Sequence, residues 1–286
     1  MNLIDAATEA RVPGFDLEAY CTRIGYNGPR QPTLPVLRDL HRLHPAAIPF
    51  EGLDVLLGRE ISLEAQALTA KLVNVRRGGY CFEHNSLLQL ALEAIGFDVR
   101  PLIARSRWNR PLERPRARSH MLLRVRIRGE DWLADVGSRA DMLAPIRFAE
   151  RGPQEAGFEP LRLIPVGEEL RLEVLISGEW SPVYDIVAQP QLSVDLFAAN
   201  WFTSTHASSP FRQYLIAWHV TPVRRLLLAQ NRLTVRPAQG EPTRIRLSAD
   251  ELERCLAEDF ELDVEPVWRP ALESAVIAGD EQEGRG

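Results

Sequence analysis

Arg77-Gly78-Gly79-Tyr80-Cys81-Phe82-Glu83-His84-Asn85 is the stretch on which the reading of this chain turns. Two consecutive glycines permit a tight, unusual turn that can deliver the cysteine thiol to a helix N-terminus. Beyond the cysteine, Leu87, Leu88, Leu90, Ala91, Ala94 and Ile95 recur at helical spacing, and the run stops at Gly96, a normal helix terminator. The spacing therefore predicts a helix that begins at Cys81. A thiol placed there meets the positive end of the helix dipole and unpaired N–H groups, which favour the thiolate and could also hold an oxyanion. Nucleophilic catalysis by cysteine further requires a histidine and a carboxylate that orients it.

Of the six histidines (His41, His44, His84, His120, His206 and His219), His120 has an orienter in view. It opens the run His120-Met121-Leu122-Leu123-Arg124-Val125-Arg126-Ile127, which turns at Arg128-Gly129 and returns through Glu130 to Val136, carrying Asp135. If Ile127 pairs with Glu130, then Leu122 pairs with Asp135 and His120 with Gly137. His120 and Asp135 become diagonal neighbours on one face, about 7–8 Å apart and within side-chain reach. The order Cys, His, Asp follows the logic of papain-like and transglutaminase-like sites.

Outward from this core, the chain has 286 residues, 45% hydrophobic and 26% charged, values that exclude wholesale disorder and fibrous repeats. Three cysteines at wide spacing, Cys21, Cys81 and Cys255, fit no disulfide framework or zinc pattern and suit a reducing, cytoplasmic setting. The first twenty residues lack the features of a signal peptide, and no apolar run reaches the ~20 residues a membrane helix needs. A net charge of -5 argues against a nucleic-acid binder. The basic side chains are 33 arginines and a single lysine, Lys71, which leaves little room for Schiff-base or P-loop chemistry. No GxGxxG or GxxxxGK[ST] fingerprint occurs.

Periodicity divides the chain. Residues 15–95 read as helices, with Leu17, Tyr20, Cys21 and Ile24 on one face and Leu34, Leu37, Leu40 and Leu43 recurring at three-residue spacing. Short strands come next over 99–108, 121–127, 132–136, 161–166, 170–176 and 180–187. A helix over 193–202, strands near 214–220, 224–228 and 233–235, and a helix over 248–257 form a third segment. The expectation is an α+β protein in four parts: a helical domain over 1–95 carrying the nucleophile, an antiparallel β-barrel domain over 96–190 carrying the histidine and the aspartate, an α/β lid over 191–278, and a disordered tail over 279–286.

With these residues in place, the Arg77–Asn85 stretch resembles the nucleophile motif of the arylamine N-acetyltransferase family. Four further stretches agree in order: Ile48-Pro49-Phe50-Glu51-Gly52-Leu53-Asp54, Arg118-Ser119-His120, Leu133-Ala134-Asp135-Val136-Gly137, and Asn200-Trp201-Phe202-Thr203-Ser204-Thr205-His206 running to Ser209-Pro210-Phe211. The resemblance implies a transglutaminase- or papain-like core with Cys81 as nucleophile, His120 as base and acid, and Asp135 as orienter. It implies a ping-pong reaction in which acetyl-CoA, as donor substrate with no permanently bound cofactor or metal, acetylates Cys81, and an aromatic amine, hydrazine or N-hydroxyarylamine accepts the group. Nucleic acid and membranes are not expected as partners, and a monomer or homodimer is. Phe50, Ser119, Ser138, Arg139 and Phe202 are the expected pocket residues. Two other readings stay open: an amide synthase of the same fold using another acyl thioester, and a binding protein that keeps the fold without the chemistry.

Three departures from the family pattern stand out: Gly52 replaces Asn, Ser119 replaces Thr, and Ser138-Arg139 replaces Phe-Gly. The last exchanges an aromatic and a glycine for a hydroxyl and a cation, which predicts an altered acceptor preference, more favourable to acidic acceptors. Ten arginines crowd residues 100–128 against one acid, Glu113, and read either as a solvated face or as attraction for the donor's phosphates. His41-Arg42-Leu43-His44 has HxxH spacing without further ligands and reads as a surface pair on a helix. Cys21 and Cys255 fall on apolar stripes and read as core.

Overall fold

The computed structural model describes residues 13–109, 111–114 and 116–283; residues 1–12 and 284–286, which carry the leader and part of the tail readings, lie outside them. Asp16 caps α1 (Leu17–Ile24) by accepting from the Ala19 amide at 3.0 Å, and Gly25 ends it in the left-handed region at φ 71. α2 (Leu34–Ala47) opens with a proline in its first turn and turns Val36, Leu37 and Leu40 inward. The two-residue β1 (Phe50–Glu51) precedes short helices α3 (Leu53–Leu56) and α4 (Ala65–Leu68), the latter running on as a π-helical turn over Thr69–Asn74. α5 (Cys81–Ile95) starts at the cysteine and stops at Gly96, φ 98, as its sequence spacing predicts. Residues of α1, α2 and α5 share one buried cluster.

Seven antiparallel strands come next: β2 (Asp98–Ser106), β3 (His120–Ile127), β4 (Glu130–Ala134), β5 (Ile146–Arg147), β6 (Leu161–Val166), β7 (Glu169–Ile176) and β8 (Glu179–Val187). Their order in the sheet is β5-β4-β3-β2-β8-β7-β6, so β5 and β6 are its two edges and do not pair with each other. One face presents Val99, Met121, Leu123 and Val125 to the helical cluster. The other encloses its own core, where Ile146 from one edge meets Leu161 and Leu163 from the other. The expected closed barrel is therefore a curled open sheet among the described residues. Closure fails because β5 is only two residues long and pairs with β4 alone, while the outer edge of β6 meets just an isolated bridge from Gln154 to Leu161, so no ladder joins the two edges.

α6 (Ser193–Thr205) and α7 (Pro210–Gln213) lead to β9 (Ile216–Val220), β10 (Arg224–Ala229), β11 (Arg232–Pro237) and β12 (Thr243–Arg246). These strands extend β1 into a five-stranded antiparallel sheet ordered β1-β9-β10-β11-β12, with Phe50 opposite Trp218. α8 (Ala249–Glu258), a 3-10 turn (Pro266–Trp268) and α9 (Arg269–Glu283) pack Leu252, Leu256, Trp268 and Leu272 into its core. α9 carries residues 279–283 as helix where a disordered tail was expected. Gly279 is buried, and Asp280 accepts hydrogen bonds from Asn231 and Arg246, both at 2.9 Å, which anchors the last turns. No helix among the described residues is long and apolar enough to cross a membrane.

Candidate active site

The glycines before Cys81 are required by crowding rather than by a left-handed backbone. A Cβ on Gly78 would lie 2.2 Å from the Pro49 carbonyl oxygen, and one on Gly79 would lie 2.9 Å from Glu83 Cβ. The turn is held from beneath by charge. The Arg77 guanidinium donates to Glu51 at 2.7 Å, to Asp54 at 3.2 Å and to Glu265 at 2.7 Å, and stacks 4.5 Å over the Trp268 ring. Lys71 Nζ lies 2.7 Å from both Asp54 and Glu83. Glu83 in turn accepts from the Tyr80 amide at 3.0 Å, fixing the first turn of α5. Burial raises the Glu83 carboxyl against the lowering influence of Lys71. Burial also works against Asp54, but the charges of Lys71 and Arg77 prevail and hold it near about 2. The network joins the nucleophile's turn to both β1 and the C-terminal helices.

Across from Cys81, β3 and β4 pair Ile127 with Glu130 and continue to Leu123 with Ala134, the register read from the sequence. Extending it one step places Asp135 opposite Leu122 and diagonal to His120. His120 Nε2 is 2.7 Å from Asp135 Oδ2, which leaves Nδ1 for its hydrogen bond with Cys81. The Cys81 thiol also lies 3.7 Å from the Ser119 carbonyl oxygen. Burial alone would depress the His120 pKa, but the Asp135 charge, their hydrogen bond and Cys81 raise it to about 10. Asp135 is fully buried, and His120, Asn85 and Tyr184 together overcome that burial and lower its pKa.

Three residues that complete this arrangement were not read from the sequence as partners of the site. Tyr184 of β8 donates its hydroxyl to Asp135 Oδ2 at 2.9 Å and stacks its ring on His120, centroids 4.9 Å apart. Asn85 donates from Nδ2 to Asp135 Oδ1 at 2.9 Å and to the Met121 carbonyl at 2.8 Å, and accepts from the Val136 amide at 3.2 Å. Its place in the cysteine motif marks it, but nothing in the spacing reveals its partners. His41 Nε2 accepts from the Asp135 amide at 3.0 Å.

His41 and His44 are fully buried, which overturns their reading as a surface pair. The cause is α2's position against α5 and the Asp135 loop. His44 accepts from the Tyr20 hydroxyl at 2.9 Å through Nδ1 and meets His84 Nδ1 at 3.0 Å through Nε2; His84 Nε2 lies 3.2 Å from the Pro49 carbonyl. A carbonyl can only accept, so His84 donates there; with burial keeping both rings neutral, His44 Nε2 then donates to His84 Nδ1 and Tyr20 donates to His44 Nδ1. Among the described residues no group of three or more His, Cys, Asp or Glu is placed to hold a metal ion.

Cys81 and His120 open on a cavity of about 910 Å³, within the range of small-molecule sites. Phe50, Ser119, Arg139 and Phe202 line it as expected. Ser138 does not: it is buried, and its hydroxyl accepts from the Ala140 amide at 3.1 Å, closing the turn after Asp135. Of the arginine-rich stretch, Arg114 and Arg116 reach the cavity, whereas Arg107 is buried and donates to Asp185 at 2.6 Å. Gly52 is crowded by Phe211, whose Cδ1 would lie 3.0 Å from an added Cβ.

A family model described as N-acetyltransferase matches residues 33–268. An arylamine N-acetyltransferase of Mycolicibacterium smegmatis is 42% identical over 227 residues, covering 77% of this chain and 82% of the relative. The solved structure of the Mycobacterium marinum arylamine N-acetyltransferase superposes with a TM-score of 0.86 at 37% identity, covering 91% of this chain and 98% of that one. The same enzyme in complex with CoA gives a TM-score of 0.85 at 37% identity, with the same coverage. Matches of this extent, falling on the cysteine, histidine and aspartate stretches alike, place the chain in the arylamine N-acetyltransferase family.

Proposed function

We propose that the protein transfers an acetyl group from acetyl-CoA to an arylamine, arylhydrazine or N-hydroxyarylamine through an acetyl-Cys81 intermediate. The observation that carries this is the meeting, on one cavity, of Cys81 at the start of α5 with His120, which the buried Asp135 holds from behind. The Cys81 thiolate attacks the thioester carbonyl, the first-turn amides of α5 face the developing oxyanion, and the CoA thiolate leaves with the proton of His120. The acceptor nitrogen then attacks acetyl-Cys81, gives its proton to His120, and the Cys81 thiolate is released. Asp135 holds the imidazole in orientation and stabilises its cationic form. CoA bound to the Mycobacterium marinum relative supports the choice of donor.

The helical and curled-sheet regions supply the nucleophile and the His–Asp pair respectively, which supports a division near residues 95 and 190 with a lid beyond. Three free cysteines support a cytoplasmic setting. Intact mass spectrometry after brief exposure to acetyl-CoA without amine tests the reading. The expected result is one acetyl increment on the wild type and none on Cys81→Ala. Wild-type protein that stays unmodified while free CoA does not accumulate would overturn it.

A further inference from the structure

The cavity beside Cys81 carries a charge pattern that acetyl transfer alone does not require. Its lining includes Arg114, Arg116, Arg139 and Arg232, and no aspartate or glutamate among the described residues. Arg114 and Arg232 are exposed, as expected of groups that attract a polyphosphorylated donor at the mouth. Arg139 is different. It is half-buried, and it leaves the chain two residues after Gly137, whose backbone is so close to the nucleophile that an added Cβ would lie 2.8 Å from Cys81 Cα.

The Arg139 guanidinium is stacked 5.5 Å over the Trp108 ring and has no hydrogen-bond or ion-pair partner among the described residues. Asp141, the carboxylate it interacts with electrostatically, is already engaged: Arg225 donates to it at 2.9 Å and is itself clamped by Glu159 at 2.6 and 2.8 Å. A sheltered cation whose nearest carboxylate is hydrogen-bonded elsewhere is costly, and as part of the lining it is available to an anion that enters the cavity. The stacking on Trp108 orients the planar fork and adds an aromatic face beside it.

We propose that Arg139 is a specificity-determining residue that pairs with an anionic substituent on the acceptor, so that carboxylated arylamines are preferred over their neutral counterparts. The inference rests on the acyl-transfer reading above and adds the chemical class of acceptor. The guanidinium fork accepts a carboxylate in two parallel hydrogen bonds, which fixes the ring and aims the amine at the opposite end toward acetyl-Cys81.

The test uses the full chain and a matched pair of acceptors, 4-aminobenzoate and its methyl ester, at saturating acetyl-CoA. The ratio of their kcat/KM values, acid to ester, exceeds one for the wild type, falls by about tenfold or more in Arg139→Gln, and falls less in Arg139→Lys, which keeps the charge without the fork. A ratio unchanged in Arg139→Gln overturns the proposal. So does a rise in the KM for acetyl-CoA at constant ratio, which would assign Arg139 to the donor's phosphates. Calorimetric binding of 4-nitrobenzoate and methyl 4-nitrobenzoate, neither of which can be acetylated, reads the pairing without turnover. If the anion binds selectively through Arg139 while Cys81 never acetylates, the anion site stands and the acyl-transfer reading fails; equal binding by wild type and Arg139→Gln overturns the site itself.

Discussion

Tyr184 reaches from β8 to donate its hydroxyl to Asp135 Oδ2 at 2.9 Å, the same oxygen that lies 2.7 Å from His120 Nε2. The carboxylate is thus shared between the residue it orients and a phenol from a strand remote in sequence. With Asn85 and the Gly137 amide on the other oxygen, at 2.9 and 3.1 Å, both sides of a fully buried carboxylate are satisfied.

Tyr184→Phe keeps the ring against His120 and removes one of these hydrogen bonds. The expected outcome is a loss of about 1–2 kcal/mol of stability and a several-fold slower acetylation of Cys81 by acetyl-CoA. Chemical denaturation and single-turnover mass spectrometry measure the two effects. An acetylation rate equal to wild type would show that Asn85 and Gly137 suffice to hold Asp135.

The glycines of the nucleophile helix separate into two kinds. Gly78→Ala drives a Cβ to 2.2 Å from a backbone carbonyl oxygen and should abolish acetylation, with a loss of stability above ~3 kcal/mol. Gly96→Ala meets no atom within 4 Å and loses stability only through its φ of 98, about 1 kcal/mol, with acetylation retained. Comparable melting temperatures for the two variants would contradict the crowding seen at Gly78.

His120, with its pKa raised to about 10, stays protonated across the neutral range. Nitrogen-detected NMR of the imidazole should therefore show no titration between about pH 5.5 and 7.5, the span over which an ordinary histidine loses its proton. Asp135→Asn removes the main raising influence and should bring the titration down into that span. Because the folded value exceeds the unfolded one, this contribution to stability is complete below about 6.5 and is lost as pH rises through about 10.

The other buried histidines act in the opposite direction. Burial lowers His41 and His84 to about 4 and holds His44 well below the ordinary histidine value, so unfolding at mildly acidic pH takes up protons the folded state refuses. Stability should fall as pH drops from about 6.5 toward about 4, and His44→Gln should flatten that slope while lowering stability at pH 7.5. Urea titrations at three pH values decide it; an unchanged slope would mean that His44 titrates normally.

The buried charge beneath the turn gives a further contrast. Arg77→Met leaves Glu51, 1% exposed, without its partner, and should cost about 3–5 kcal/mol. Arg59, on the outer side of the same cluster with its side chain 39% exposed, should cost under about 1 kcal/mol when changed to Ala. Denaturation midpoints would show whether the two losses are so unequal.

Much of the site could be read directly. The helix from Cys81 to Gly96 comes from spacing and a terminator, and the His120–Asp135 diagonal comes from a hairpin turning at Arg128-Gly129, where a two- or a four-residue turn alike keeps the pair on one face. Both are local features, in which neighbours in sequence decide which face a side chain takes. Where a reading depended on distant partners it failed or was silent. His41 and His44 looked like surface residues because a helix pattern does not say which face another helix will cover, and Ser138 looked like a pocket residue because a turn's inward side is set by what packs against it. The curl of the sheet also escaped, since closure depends on the length of the edge strands.

Cys81 at the head of its helix, the His120–Asp135 pair and the family resemblance were all legible in the sequence, because the residues that carry them lie within one helix or one hairpin. How Asp135 is held came from packing, since Tyr184, Asn85 and His41 belong to three separate elements, and so did the position of Arg139 in the cavity lining without a hydrogen-bonded carboxylate. Those facts arise where elements distant in sequence are packed together, and the absence of a partner is visible only when every neighbour is in place.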